Sequence, residues 1–167
     1  MGFRLLEQKF IAAALLICGA IASVASAADA ANGKLDFKGR SGTFRHAWLV
    51  TGPSDLEPGK TVRRIVLSSA DIGATLQACK TFSCTDGEVM DGATIDFTGG
   101  PRLNYWIAMN GPKIQYSGTA KPATFTARTD DPKHLAGRIA IDDVAAGGPK
   151  LDAEFDVTLL KEFRSAR

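Results

Sequence analysis

The chain has 167 residues, of which 20 are basic and 18 acidic, so its formal net charge is +2, with both signs mixed along the sequence. A charge this close to neutral provides no long-range field that would attract a nucleic acid or an anionic membrane surface, and we expect neither as a partner. Hydrophobic residues make up 45% of the chain, which is enough for one packed core.

The first 27 residues have the pattern of a cleaved secretory signal. Arg4 and Lys9 precede an apolar run over residues 10–24. The small-residue motif A-S-A follows at residues 25–27. We therefore predict cleavage after residue 27 and a periplasmic or secreted location. The processed chain is expected to have no stable membrane span.

Two alternatives to simple cleavage are open. An uncleaved anchor would need a run of roughly 20 apolar residues, and residues 10–24 are too few for this. Lipidation of Cys18 would need a small residue before the cysteine, whereas Ile17 precedes it. Cleavage leaves residues 28–167, which we expect to form a single β-rich domain.

Within residues 28–167, apolar and polar residues alternate far more often than they follow helical spacing, which indicates short strands. About eight short strands with tight turns predict an all-β fold, either an antiparallel β-sandwich or a closed β-barrel. Both interiors produce the same alternation, so the two remain open. Eight candidate strands cover residues 43–50, 62–68, 94–97, 103–109, 113–118, 123–128, 134–142 and 151–159, and residues 35–38 are a candidate for a further short strand at the start.

In the second candidate strand, His46 has the same period-two phase as Phe44 and Trp48. This phase predicts an imidazole on the apolar side of the sheet, where it needs a hydrogen-bond partner. Trp48 fits either the core or an aromatic surface that binds a ligand. Both His46 and Trp48 are therefore candidate binding residues. The neighbouring pair Arg63-Arg64 in the third candidate strand is interpreted as a solvated strand end.

The helical pattern is confined to residues 69–79, where Ser69 is placed to cap the first turn. Cys79 ends this segment and Cys84 follows after four residues. In an exported protein, such a close pair of cysteines predicts a disulfide. Thiol oxidoreductases have two residues between their cysteines, and no histidine lies near this pair in sequence, so redox and zinc interpretations fit poorly.

The fifth and sixth candidate strands are joined by the tight-turn sequence N-G-P. Along the fifth strand, period two places Asn104, Trp106 and Asn110 on the face opposite Tyr105. An indole on the outer face of a sheet is a candidate anchor for an interaction. We therefore predict an exposed contact patch made of Trp106, Asn104 and Asn110.

The last two candidate strands predict a hairpin, because a connector with the sequence G-G-P separates them. If Ile141 faces Leu151, then Arg138 lies opposite Glu154 on the solvated side. An exposed ion pair of this kind contributes a few tenths of a kcal/mol and mainly sets the strand register.

Histidines and carboxylates in the C-terminal part are candidates for metal binding. His134 follows Asp130 and Asp131, and these residues would form a site with His46 only if the fold brings them together. The acidic ladder D-x-E-x-D at residues 152–156 would attract a cation, although alternating charges usually form the solvated face of a strand. The sequence contains no nucleophile elbow, phosphate loop, dinucleotide fingerprint or zinc-protease motif. We predict no catalytic residue, no metal and no cofactor.

Four segments carry a resemblance: G-T-F-R-H-A-W-L-V at residues 42–50, R-I-V-L-S-S at 64–69, H-L-A-G-R-I at 134–139 and A-E-F-D-V at 153–157. Their order resembles that of small, mostly uncharacterised exported β-rich proteins of Gram-negative bacteria. Those proteins have a His-Ala-aromatic strand, an apolar strand, a Gly-Arg strand and a C-terminal acidic-apolar strand. The resemblance implies export and an all-β fold, and it implies no activity.

These observations favour an exported envelope protein that is a non-catalytic binding or interaction module. Its partner is expected to be an envelope protein or a small apolar ligand. One alternative is a small β-barrel that carries an apolar ligand, which requires an internal cavity. A second is a metal-dependent or hydrolytic enzyme that uses His46, which requires a carboxylate beside this ring in a cleft.

Overall fold

The computed structural model describes residues 30–55 and 57–167, so the predicted signal over residues 1–27 and Cys18 lie outside the described residues. Nine strands form one sheet in the order β6-β5-β4-β3-β2-β1-β9-β8-β7. The strands are β1 (Ala30–Phe37), β2 (Arg40–Pro53), β3 (Thr61–Ser68), β4 (Gly92–Phe97), β5 (Leu103–Met109), β6 (Ile114–Ala120), β7 (Phe125–Asp131), β8 (His134–Asp142) and β9 (Lys150–Glu162). Helices α1 (Gly73–Ala78) and α2 (Cys84–Gly87) lie between β3 and β4. Turns of 3₁₀ helix cover Gly111–Lys113, Pro122–Thr124 and Val144–Ala146.

The sheet curls into a half-barrel, which confirms the all-β prediction but is not the closed barrel. The strands form one curled sheet, whereas the two predicted alternatives were a β-sandwich and a closed β-barrel. Its edge strands are β6 and β7, which do not pair with one another in the described part of the chain. Only residues 121–124 join them, so the chain passes directly from one edge of the half-barrel to the other. No helix among the described residues is long and apolar enough to cross a membrane.

The middle of the sheet is built around the short strand β1. This strand pairs antiparallel with β2 on one side and with β9 on the other. Both neighbours are longer than β1, and where β1 no longer separates them they pair with each other in parallel, with Leu49 facing Leu159. The other strand pairs are antiparallel. This arrangement draws the two halves of the sheet together and supports its curl.

The concave face of the half-barrel holds the larger apolar core, which we call the inner cluster. Alternate residues of each strand point inward, as period two requires. Ile65 on β3, Ile107 on β5 and Ile139 on β8 are fully buried there, although they belong to strands in different parts of the sheet. Aromatic rings fill the space between the two edges, with Phe125 of β7 packed against Phe97 at 5.0 Å between ring centroids. The inner face is therefore a packed core.

A second apolar cluster, which we call the outer cluster, lies on the convex face beneath the segment that contains α1 and α2. Leu76 and Phe82 from this segment pack on Val66 and its neighbours. The predicted disulfide between Cys79 and Cys84 is present, with 5.7 Å between the two Cα atoms. The segment is also tied to the C-terminal residues, because the backbone N–H of Phe82 donates to the carbonyl oxygen of Ser165 at 3.0 Å.

The helical prediction over residues 69–79 is correct in place but too long. Helix α1 begins at Gly73, and Ser69 does not cap it. The Asp71 carboxylate instead accepts a hydrogen bond from the backbone N–H of Gly73 at 3.0 Å. A Cβ atom at position 73 would lie 2.8 Å from Nε1 of Trp48, so glycine allows the helix to approach this indole closely.

The predicted phase of the second strand is wrong. Phe44 lies in the inner cluster, but Ala47 and Leu49 are the next inner residues, so the alternation reverses between Phe44 and Ala47. Trp48 consequently lies in the outer cluster. A register shift between β1 and β2 accompanies this reversal. Irregular pairing of this kind bends a strand and redirects its side chains, and period two alone does not reveal it.

The predicted hairpin of the last two strands has the expected register, with Ile141 opposite Leu151 and Arg138 opposite Glu154. The expected ion pair is different, however. Arg138 Nε donates to the carboxylate of Asp152 at 2.8 Å. Diagonal neighbours on an antiparallel pair lie within reach of a long side chain, so the guanidinium takes the next carboxylate along the strand.

Candidate functional site

A groove of about 560 Å³ opens on the convex face beside the edge strand β6. We call it the outer groove. It crosses four neighbouring strands, β3 to β6, and reaches α2 at one side. Its outward side chains are those that period two directs away from the inner core. The lining residues are Arg64, Asp86, Thr94, Asp96, Asn104, Tyr105, Trp106, Ser117, Gly118 and Thr119.

Arg64 is the centre of the groove's polar wall. Its side chain lies on the outer face of β3 and is only 8% exposed. The guanidinium makes a two-pronged bond to Asp96, with Nε 2.6 Å from Oδ1 and Nη2 2.8 Å from Oδ2. Nη1 donates to Asp86 Oδ2 at 2.7 Å and to the hydroxyl of Thr85 at 3.1 Å. The guanidinium also lies 4.2 Å from the centroid of the Phe82 ring, so its position is fixed on several sides.

The electrostatics of this wall follow from burial and pairing. Burial alone would lower the pKa of Arg64, but hydrogen bonds and charges from Asp96 and Asp86 outweigh it, so the pKa is raised and the guanidinium stays charged. Burial raises the pKa of Asp86, against the opposing effect of Arg64. The other oxygen of Asp86 accepts a hydrogen bond from Thr94 Oγ1 at 3.1 Å. Together the one guanidinium and two carboxylates form an acidic, pre-ordered wall.

Trp106 lies on the outer face of β5, as predicted, and its indole is half-buried against the outer cluster. Its cross-strand neighbours are small hydroxyl residues, Thr94 on β4 and Ser117 on β6. Small neighbours leave part of the ring uncovered. Asn104 lies two residues before Trp106 on the same face, between Asp96 and Thr119 in the register. The groove therefore combines an aromatic surface with amide, hydroxyl and carboxylate groups.

Of the five predicted binding residues, Trp106 and Asn104 line the outer groove and the other three do not. Asn110 is exposed in the turn after β5, in the left-handed conformation with φ of 57°, and does not line the outer groove. Its backbone N–H donates to Asp91 Oδ1 at 2.6 Å. His46 and Trp48 lie farther along the convex face, on β2, where the two rings stack with 5.8 Å between centroids.

The polar residues of the groove were not predicted from the sequence; they are Arg64, Asp86, Thr94, Asp96, Ser117 and Thr119. One signal was available, because period two places Arg64 on the same face of β3 as the apolar residues Val62 and Val66. A buried arginine requires carboxylate partners. The interpretation of Arg63-Arg64 as a solvated strand end is wrong for Arg64. The same interpretation describes Arg63 better, because its side chain is 25% exposed and pairs with Asp130 at 2.7 Å.

The candidate metal-binding residues of the C-terminal part have other partners. Asp131 lies opposite His134 in the β7–β8 pair, but within the described part of the chain the two form no ligand cluster. His134 Nε2 lies 2.7 Å from Asp156 Oδ1, and the pKa of Asp156 is lowered by its hydrogen bond with His134. The pKa of Asp152 is lowered in the same way by Arg138. Among the described residues, Cys79, Cys84 and Glu88 cluster closely enough to hold an ion. The two sulfurs form the disulfide, so they offer no thiolate to a metal.

A second cavity, of about 590 Å³, lies at one end of the half-barrel. Its lining includes Phe97, Leu159 and Arg63. Arg63 crosses this opening from β3, because it pairs with Asp130 and donates to the carbonyl oxygen of Asp131 at 3.0 Å. This contact links the two halves of the curled sheet at their open end.

The fold and the groove together define the class of protein: an all-β half-barrel domain with a polar and aromatic groove on its convex face. No protein-family model, no curated protein and no solved structure matches this chain. The arguments that follow therefore rest on the residues of the chain itself.

Proposed function

We propose that this protein is a non-catalytic binding module of the bacterial envelope, and that it binds a protein partner through the outer groove. The observation that carries the proposal is the half-buried indole of Trp106 beside Asn104 in an open groove of about 560 Å³. Tryptophan is one of the residue types enriched among the anchors of protein interfaces. Its packing against the outer cluster orients the ring before a partner arrives, which lowers the entropic cost of binding.

The polar wall indicates which groups of a partner fit the groove. Four of the five N–H groups of Arg64 donate to Asp96, Asp86 and Thr85, so this residue has little capacity left to donate to a ligand. The remaining lone pairs of Asp86 and Asp96 accept hydrogen bonds, and the amide of Asn104 both donates and accepts. A basic or amide side chain of the partner would therefore enter the groove beside Trp106. Electrostatic complementarity of this kind selects the partner more than it adds affinity.

The packing of the half-barrel favours this proposal over the carrier alternative. Carriers hold their ligands in an interior space, whereas the inner face here is filled by large apolar side chains that include Phe97, Tyr105 and Phe155. The enzyme alternative depends on His46. This ring is half-buried and stacked on Trp48, and within the described part of the chain it has no carboxylate partner. Export through the leader at residues 1–27 remains part of the proposal.

Site-specific photo-crosslinking in the cells that produce the protein tests the proposal. A photoreactive amino acid at Asn104 should give a discrete adduct with another protein. The same amino acid at Thr126, an exposed outer-face position on β7, should not. Adding the substitution Trp106→Ala to the Asn104 variant should remove the adduct while the protein stays folded. Equal adducts from both positions, or an adduct that persists without Trp106, would contradict the groove as the contact site.

A further inference from the structure

We propose that the cavity at the open end of the half-barrel, which we call the end cavity, binds a small neutral molecule that has an apolar body and a carbonyl oxygen. The end cavity has a volume of about 590 Å³. It lies on the inner side of the sheet, because Phe97 of the inner cluster lines it, whereas the outer groove lies on the convex face. The proposal therefore goes beyond the function proposed for the groove and does not depend on it.

The end cavity begins where the inner cluster ends. Leu49 on β2 and Ile65 on β3 belong to the inner cluster, and period two makes Thr51 and Arg63 the next inner residues toward this end. These two residues lie opposite each other in the β2–β3 pair, and Phe97 lies opposite Arg63 on β4. The last inner row therefore contains a hydroxyl and a guanidinium, where the preceding inner positions are apolar.

The hydroxyl of Thr51 is a nearly buried group without a protein partner. Thr51 is only 7% exposed, and its hydroxyl bonds to no other residue in the part of the chain that the structure describes. No described side chain has a fully enclosed polar atom without a partner, so this hydroxyl faces the end cavity, which Thr51 lines. Burial of an unbonded hydroxyl is costly. Thr51 therefore requires a bonding group from the cavity.

Arg63 supplies a second polar group in the same place. Its Nη2 atom lies 2.7 Å from Asp130 Oδ1, and its Nη1 atom donates to the carbonyl oxygen of Asp131 at 3.0 Å. These two bonds hold the guanidinium across the opening, from β3 to β7. The other three of its five N–H groups bond to no described residue. A fixed donor thus lines the end cavity opposite Thr51.

The chemistry of the lining favours a neutral acceptor. An arginine only donates and a hydroxyl can donate, so one oxygen with two lone pairs can satisfy both Thr51 and Arg63. An anionic oxygen is disfavoured, because the lining has a net charge of −1. This charge comes from two basic and three acidic residues, which are Arg63, Lys133, Asp130, Asp131 and Glu162. A ketone, ester or amide carbonyl meets both conditions.

The rest of the ligand would contact apolar side chains. Phe97 and Leu159 line the end cavity from the two halves of the sheet, and Pro132 lines it from the turn between β7 and β8. A few polar groups that converge on an apolar surface are typical of small-molecule sites. The interior beyond this row is filled by the inner cluster. The ligand therefore binds at the end of the half-barrel and does not enter its middle.

An NMR titration of the ¹⁵N-labelled, disulfide-bonded protein with acetophenone tests the site. The backbone amide signals of residues 97–99 and 130–131 should shift, and those of residues 104–106 and 117–119 in the outer groove should not. Benzoate, which has the same ring with a charged acceptor, should bind more weakly. Absence of any shift, shifts confined to the outer groove, or tighter binding of benzoate would overturn the proposal. Trp106→Ala should leave the titration unchanged, so failure of the groove proposal and failure of this site are distinguishable.

The substitution Thr51→Val tests the hydrogen bond, because valine keeps the shape of threonine without its hydroxyl. It should weaken acetophenone binding about fivefold, the factor that one hydrogen bond typically contributes. Ethylbenzene has nearly the same shape without the carbonyl oxygen, and Thr51→Val should bind it at least as well as the wild type does. Arg63→Met should also weaken acetophenone selectively, and Thr126→Val on the outer face of β7 should change neither affinity. An equal effect of Thr51→Val on both probes, or no effect on acetophenone, would contradict the assigned bond.

Discussion

Replacing Arg64 by methionine tests whether the polar wall of the outer groove is held together by one buried cation. Methionine keeps much of the apolar stem but leaves Asp86 and Asp96 without their counter-ion. Removing one partner of a buried ion pair costs about 3 to 5 kcal/mol, because the remaining charge stays desolvated. The side chains of Asp96 and Asp86 are 19% and 35% exposed, so solvent partly compensates them and the lower end of the range applies.

We therefore expect Arg64→Met to lower the free energy of unfolding by about 3 kcal/mol, which corresponds to a fall in Tm of about 10 °C for a domain of this size. The matched control is Arg63→Met on the same strand. Arg63 pairs with Asp130, whose side chain is 50% exposed, so this change should cost about 1 kcal/mol or less. Urea denaturation followed by circular dichroism measures both values.

A third variant separates lost charge compensation from lost packing. The combination of Arg64→Met with Asp86→Asn and Asp96→Asn removes both carboxylate charges. It should be more stable than Arg64→Met alone, because a neutral cluster carries a smaller desolvation cost. The reasoning is refuted if Arg64→Met costs no more than Arg63→Met, or if the triple variant is no more stable than the single one.

Three further results are expected. Trp106→Ala should cost less than about 3 kcal/mol, the value typical of a fully buried indole, because the ring is half-buried; a larger loss by thermal denaturation would place it in the core. Reduction of the disulfide between Cys79 and Cys84 should lower stability by about 2 kcal/mol, because the closed loop is short, and an unchanged Tm after reduction would contradict this. The lowered pKa of Asp156 stabilises the fold above about pH 4, and this contribution is lost as the pH falls through the lowered value. Asp156→Asn should therefore flatten the acid side of the stability profile, and an unchanged profile would show that its pairing with His134 is not maintained in solution.

The regular parts of the fold follow from period-two patterns. The faces of β5 and the register of the β8–β9 hairpin were predicted correctly because each depends on neighbouring residues alone. The curl of the sheet and its open edges were not predicted. They depend on which distant strands pair, and the same alternation fits an open sheet, a sandwich or a barrel.

The candidate site was predicted only where it depends on one strand. Trp106 and Asn104 share a face of β5, and the sequence shows this directly. Arg64, Asp86 and Asp96 come from three separate elements and meet only through tertiary pairing. His46 and Trp48 were given the same phase as Phe44, which is wrong because the alternation reverses along β2, an irregularity of pairing that no periodicity encodes.

The most direct test of the central claim is native mass spectrometry of the protein purified gently from the cells that produce it, with the wild type beside Trp106→Ala. The account predicts that the wild type retains a second kind of polypeptide and that Trp106→Ala loses it. Identical spectra of the two proteins would contradict the outer groove as the binding surface. A non-protein mass retained by both until denaturation, without a second polypeptide, would contradict it as well, and would place a ligand in the half-barrel instead.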